Sequence, residues 1–244
     1  MPWEFPVRTA ALITAVTSAV SVAITLKPSL RLELTFQEQR QIENFVSGAS
    51  KNIDRSGVIG DDLVFLVAHV WLVPKLYRRL FTQPVRSALA WLNRVVFRDK
   101  LHPYVPPLVP VVIRGVQMIG MSGIDFRHGS GLVGHAMHHG ISRAAYGIDY
   151  RSQAVRDAID NSTETEWAVT SHAITTGLSL KEAQGLALKY AQCVVTRIAH
   201  PRSNEVLGAL TFDLYAGATS DLLLNGGIKD ELAACADSIS LSIA

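Results

Sequence analysis

The sequence predicts an α+β fold: a central antiparallel sheet flanked by helices, preceded by an N-terminal helical region that carries a transmembrane segment. Three observations predict it. Cys193–Tyr215 holds two runs of period-2 alternation joined by turn residues. Capping boxes at Thr35/Glu38 and Ser179/Glu182 open helices ahead of that hairpin. The run Thr9–Leu26 contains no charge. A chain of 244 residues has room for one ordinary domain and something extra. A net charge of +2, with acids and bases interleaved, excludes nucleic acid as a charge-driven partner. Cys193 and Cys235 fit no zinc or redox spacing and make no disulfide framework.

The mean hydropathy of +0.21 is high for a soluble chain, and its source is local. As a helix, Thr9–Leu26 rises about 27 Å, close to the roughly 30 Å hydrocarbon core. Leu12, Ile13, Val16, Val20, Val22, Ile24 and Leu26 supply roughly −2 to −4 kcal/mol of insertion free energy, diluted by Ser and Thr. A span over 9–26, within an N-terminal segment 1–30, is the reading taken. Two others stand beside it. Val20 to Leu26 and Leu30 to Phe36 also alternate as an amphipathic hairpin. A signal peptide is the third, although its basic region and cleavage site are poor. For a span, Arg8 lies before it and Lys27, Arg31 and Arg40 after it, so the positive-inside rule places the bulk of the chain in the cytoplasm.

Residues 31–96 read as a helical linker region. Thr35–Glu38 opens a polar helix to about Ser50, and Gly57 and Gly60 break the chain. From Leu63 to Val73 the sequence is apolar on all sides, stops at Pro74 and is followed by Lys75, Arg78 and Arg79. It reads as a buried helix or an interfacial segment, a second membrane-associated stretch over 62–76. Gln83–Phe97 continues as an amphipathic helix, with Val85, Leu89, Leu92 and Val96 on one side.

The domain proper is expected over 97–244. Pro103, Pro106, Pro107 and Pro110 mark loop or edge strand, and Val111–Met121 reads as a strand. Gly129–Gly134 is a literal GxGxxG with Asp149 downstream. The dinucleotide reading fails on three counts. Asp125–His128 separates the strand from the glycines, the helix Leu132–His139 is too short for a parallel crossover, and the closing hairpin is antiparallel. A short strand follows at Ala144–Ile148, then helices at Trp167–Thr176 and Ser179–Tyr190. In the hairpin, Val194, Thr196 and Ile198 oppose Val195, Arg197 and Ala199. Beyond the Pro201–Asn204 turn, Val206, Leu210, Phe212 and Leu214 oppose Thr211, Asp213 and Tyr215. The helix after Ala218, with Leu222–Leu224 and Leu232 onward, is expected to pair with its counterpart in a homodimer or with Gln83–Phe97.

The order of these segments resembles the GAF domain family over about residues 95–240. The motifs that carry the resemblance are Gly-Ser-Gly-Leu-Val-Gly-His-Ala opening a short helix, then Ala-Ala-Tyr-Gly-Ile-Asp, and finally Glu-Val-Leu-Gly-Ala-Leu-Thr-Phe-Asp at Glu205–Asp213. It implies a GAF-like sheet with a ligand pocket at the short helix. The chain lacks the Asn-Lys…Phe-x(3)-Asp-Glu signature of the cyclic-nucleotide-binding members and the spaced cysteines of the methionine-sulfoxide-reducing members. No cysteine stands where a bilin would attach. The implied role is therefore a membrane-anchored cytoplasmic sensor or regulatory module, not an enzyme. It would bind an unidentified small molecule, with its cofactor unknown, and signal to a separate output protein. Candidate ligand-binding residues are Phe126, Arg127, His135, His138, Asp149 and Trp167; no catalytic or metal residue is assigned. The alternative is an enzyme or metal-binding protein using His135, His138 and His139, at i, i+3 and i+4 of the short helix, on the same scaffold.

Overall fold

The computed structural model describes residues 34–57, 59–73, 109–114, 131–138, 146–171, 175–222 and 226–243. Five strands form one antiparallel sheet: β1 (Leu66–Leu72), β2 (Val109–Arg114), β3 (Tyr146–Asp149), β4 (Tyr190–Ala199) and β5 (Val206–Tyr215). Their spatial order is β2-β1-β5-β4-β3, so the β4–β5 hairpin and β1 make the middle of the sheet. The helices are α1 (Phe36–Arg55), α2 (Gly131–His138), α3 (Gln153–Asn161), α4 (Glu164–Val169), α5 (Leu180–Lys189) and α6 (Gly226–Ile243).

The hairpin forms as its alternation dictates. Its turn is built at Pro201–Ser203, after which Asn204 takes a φ of 56°, a left-handed conformation that asparagine tolerates. The Asn204 Oδ1 accepts from Arg197 Nη2 at 2.9 Å, and His200 Nδ1 accepts the backbone N–H groups of Arg202 and Ser203. Val194, Ile198, Leu210, Phe212 and Leu214 face a core closed by Ile42, Val46, Ile53 of α1 and Ile228, Leu232, Ile239 of α6. Val195, Ala209 and Tyr215 face a second core with Leu132, Val133 and Ala136 of α2, Val155 and Ile159 of α3, and Trp167 of α4. The predicted class, a central antiparallel sheet flanked by helices, is therefore observed.

Three expectations are corrected. The 62–76 stretch is neither a buried helix nor an interfacial segment. Gly60–Phe65 is a 3₁₀ turn, and Leu66–Leu72 is β1, buried at all seven positions. Leu66, Ala68, Val70 and Leu72 enter the α1/α6 core, while Val67 and Trp71 enter the other. A strand covered on both faces shows no polar alternation, so its sequence reads as a continuous apolar run. The described part of 31–96 is accordingly no linker: α1 and β1 belong to the domain. Next, α4 ends at Val169, where Thr170 turns extended, instead of continuing to Thr176. Separately, α6 packs an apolar face against β4 and α1 of the same chain, with Asn52 donating to Glu231 Oε1 at 2.9 Å. The segments Thr9–Leu26 and Gln83–Phe97 lie outside the described residues. Among the described residues no helix is long and apolar enough to cross a membrane.

The exit from β5 is tied down from three sides. Asp62 Oδ2 accepts the N–H and hydroxyl of both Thr219 and Ser220, at 2.6–3.1 Å. Arg151 Nη1 donates to the Ala218 carbonyl at 3.1 Å. Gln192, fully buried, accepts Leu222 N–H at 2.7 Å and donates to Asp149 and Asp221. Every polar atom of the Gln192 amide thus has work inside the fold, which is what its burial requires.

Candidate ligand-binding face

With α1 and α6 sealing one side of the sheet, the buried ionisable side chains His69, Cys193 and Asp213 gather on the other. The β1–β5 register sets His69 opposite Thr211 and Val67 opposite Asp213. On β4, Cys193 stands opposite Asp213. His69, Thr211 and Asp213 are each under a tenth exposed. His69 Nδ1 lies 2.9 Å from Asp213 Oδ2, and Thr211 Oγ1 donates to the same oxygen at 3.0 Å. As a carboxylate, Asp213 only accepts, so Nδ1 is the donor of this bond. Nε2 takes no part in these bonds. The imidazole stacks near the Trp71 indole, with ring centroids 6.1 Å apart.

This setting fixes the state of its neighbours. Burial and the Asp213 charge push the Cys193 thiol well above its ordinary pKa, and the thiol donates to that carboxylate. A thiol held protonated is a poor nucleophile and a poor attachment point. Burial, then the nearby Cys193 and Asp213, raise Tyr150 as well. Tyr190 is raised by burial first and by Asp213 second, and it stacks on Tyr215 at 5.3 Å between centroids. Burial lowers Lys189, against an opposing pull from Asp213, and its Nζ lies 5.2 Å from the Tyr190 ring centre.

The residues expected from the sequence fall into separate places. His135 lies half-buried in α2, the helix packed over β4 and β5 on this same face, with its Nδ1 enclosed. His138 closes α2. Phe126, Arg127 and His139 lie outside the described residues. Trp167 is buried in the same core, but its Nε1 donates to the Leu178 carbonyl at 2.7 Å, a packing role. Asp149 ends β3 and is held by Arg151 and Gln192. Burial works to raise its carboxyl, but these hydrogen bonds outweigh it and keep the group below its ordinary value. The fold thus brings His135 and Trp167 to the face opposite α1 and α6, the cup face of the sheet, and leaves Asp149 committed at the edge. His69, Thr211 and Asp213 were absent from the expected set. The signal for them was polar residues inside otherwise apolar strands, since a buried charge persists only where it is paired.

No known family model matches the chain, and no curated protein matches it. The geometry therefore carries the functional reading.

Proposed function

We propose that the chain is a membrane-anchored, GAF-like sensor or regulatory module that binds a small molecule on the cup face of its sheet and signals to a separate output protein. The observation that carries this reading is the buried His69–Asp213–Thr211 set on the face not sealed by α1 and α6. A carboxylate buried in an apolar core with an imidazole partner is expensive to maintain and is weak evidence for stability. A histidine oriented by a carboxylate, with one nitrogen left over, suits recognition of a hydrogen-bonding ligand. His135 and His138, carried by α2, belong to the same reading as the helix side of the pocket. The resemblance in motif order and the antiparallel sheet with helices on both faces support it. No reaction is assigned.

Native mass spectrometry of the full chain tests this. The expected spectrum carries a small-molecule adduct that is lost in His69→Gln while the fold, checked by circular dichroism, is retained. A bare chain that also shows no ligand-induced thermal shift across a metabolite panel overturns it.

A further inference from the structure

A cavity of about 680 Å³ lies between α3, α5, the start of β4 and the residues just after β5. None of His69, Thr211 and Asp213 lines it. Its volume is that of an ordinary small-molecule site. Tyr150 and Tyr190, both buried, supply aromatic surface, and Ile159 and Ala187 add aliphatic wall. Leu188 also lines it and is 83% exposed, an apolar side chain left in water at the rim.

The charges around it decide what would fit. Arg151 is committed: Nε and Nη2 donate to Asp149, and Nη1 to the Ala218 carbonyl. Arg156 and Asp160 also line the cavity, one helical turn apart on α3, both exposed. An i, i+4 pair of opposite charges can close on itself. Here neither side chain forms an ion pair or hydrogen bond with any described residue. A cation and an anion, about 6 Å apart along the helix axis, therefore stand beside an aromatic and aliphatic wall. A purely anionic ligand would meet Asp160, and a purely cationic one would meet Arg156. A zwitterion answers both.

We propose that this cleft binds an amino-acid-like zwitterion with an apolar or aromatic side chain. The carboxylate pairs with Arg156, the ammonium with Asp160, and the side chain lies against Ile159, Leu188 and Tyr190. The assignment stands independently of the cup-face reading, since His69, Thr211 and Asp213 line no part of this cavity and neither Arg156 nor Asp160 belongs to that set.

Calorimetric titration of the purified full chain tests it, with L-phenylalanine, L-leucine, 3-phenylpropionate and phenethylamine as probes. The expected result is binding of an amino acid, with the half-molecules lacking either charge weaker by about tenfold or more. Arg156→Ala and Asp160→Asn are each expected to weaken amino-acid binding by about tenfold. Both residues are exposed, so the melting temperature should be unchanged. The proposal is overturned if neither amino acid binds, if either half-molecule binds as tightly, or if binding survives both substitutions untouched.

Discussion

Gly208 faces Leu72 across the β1–β5 pair, and a Cβ at that position would drive into the Trp71 carbonyl oxygen and come within 2.9 Å of Leu72 Cδ2. A backbone oxygen in a central strand cannot swing aside. Gly208→Ala is expected to destabilise the fold by about 1–3 kcal/mol, read as a drop in urea midpoint at constant slope. The glycine of the Glu205–Asp213 motif thus has a packing reason: two strands approach too closely for a side chain. The buried pair makes a sharper test. Asp213→Ala strands the His69 and Thr211 donors in a dry core and is expected to cost about 3–5 kcal/mol. Replacing both partners, His69→Leu with Asp213→Leu, should recover most of that loss, because no polar group is then left unanswered. A double variant as unstable as the single one would mean that the pair holds the sheet together on its own account. At this scale the sequence was partly legible. Asp213 and Thr211 were visible on one strand face, but their partner His69 was hidden inside a run that looked helical.

At the scale of elements, legibility followed the physics of burial. The β4–β5 hairpin announced itself through alternation, and the boxes at Thr35/Glu38 and Ser179/Glu182 open α1 and α5 as expected, each with both reciprocal bonds present. A third box, Thr163/Glu166, starts α4. Local rules suffice for such features because their partners lie three residues away. β1 failed because a strand buried on both faces discards its own signature, and only pairing with distant β5 defines it. The exit from β5 is likewise set by distant partners. Burial works to raise the Asp62 carboxyl, but four hydrogen bonds from Ser220 and Thr219 hold it below the ordinary 3.8. Asp149 is depressed in the same direction. A folded pKa below the unfolded one means that the native chain binds fewer protons. The contribution is therefore complete above the unfolded value and is lost as pH falls through the lower folded one. Denaturant midpoints should fall steeply below about pH 4 in the parent and less steeply in Asp62→Asn. Parallel pH profiles would remove Asp62 as an acid-sensitive tie.

On the scale of the whole molecule, the sheet divides two kinds of surface. One face is covered by α1 and α6 over a largely apolar core; the other holds His69 and Asp213. The proposed function ties this sheet to a bilayer through Thr9–Leu26, and that attachment can be tested. Two forms of membrane attachment predict different responses. If the chain held to bilayers through Arg and Lys near the surface, about 1 M salt would shrink the screening length to about 3 Å and release it. A span of uncharged residues is held by apolar transfer, which salt strengthens, so only detergent should release it. The full chain in fractionated cells is accordingly expected in the membrane pellet, retained through the salt wash and extracted by mild detergent. Replacing Val16 and Val20 with Asp should move it to the soluble fraction, since each buried charge opposes insertion by about 2.5–3.5 kcal/mol, comparable to the entire apolar gain of the segment. Recovery of the parent chain in the salt wash would remove the anchor from the proposed function and leave the sheet and its cup face as they are.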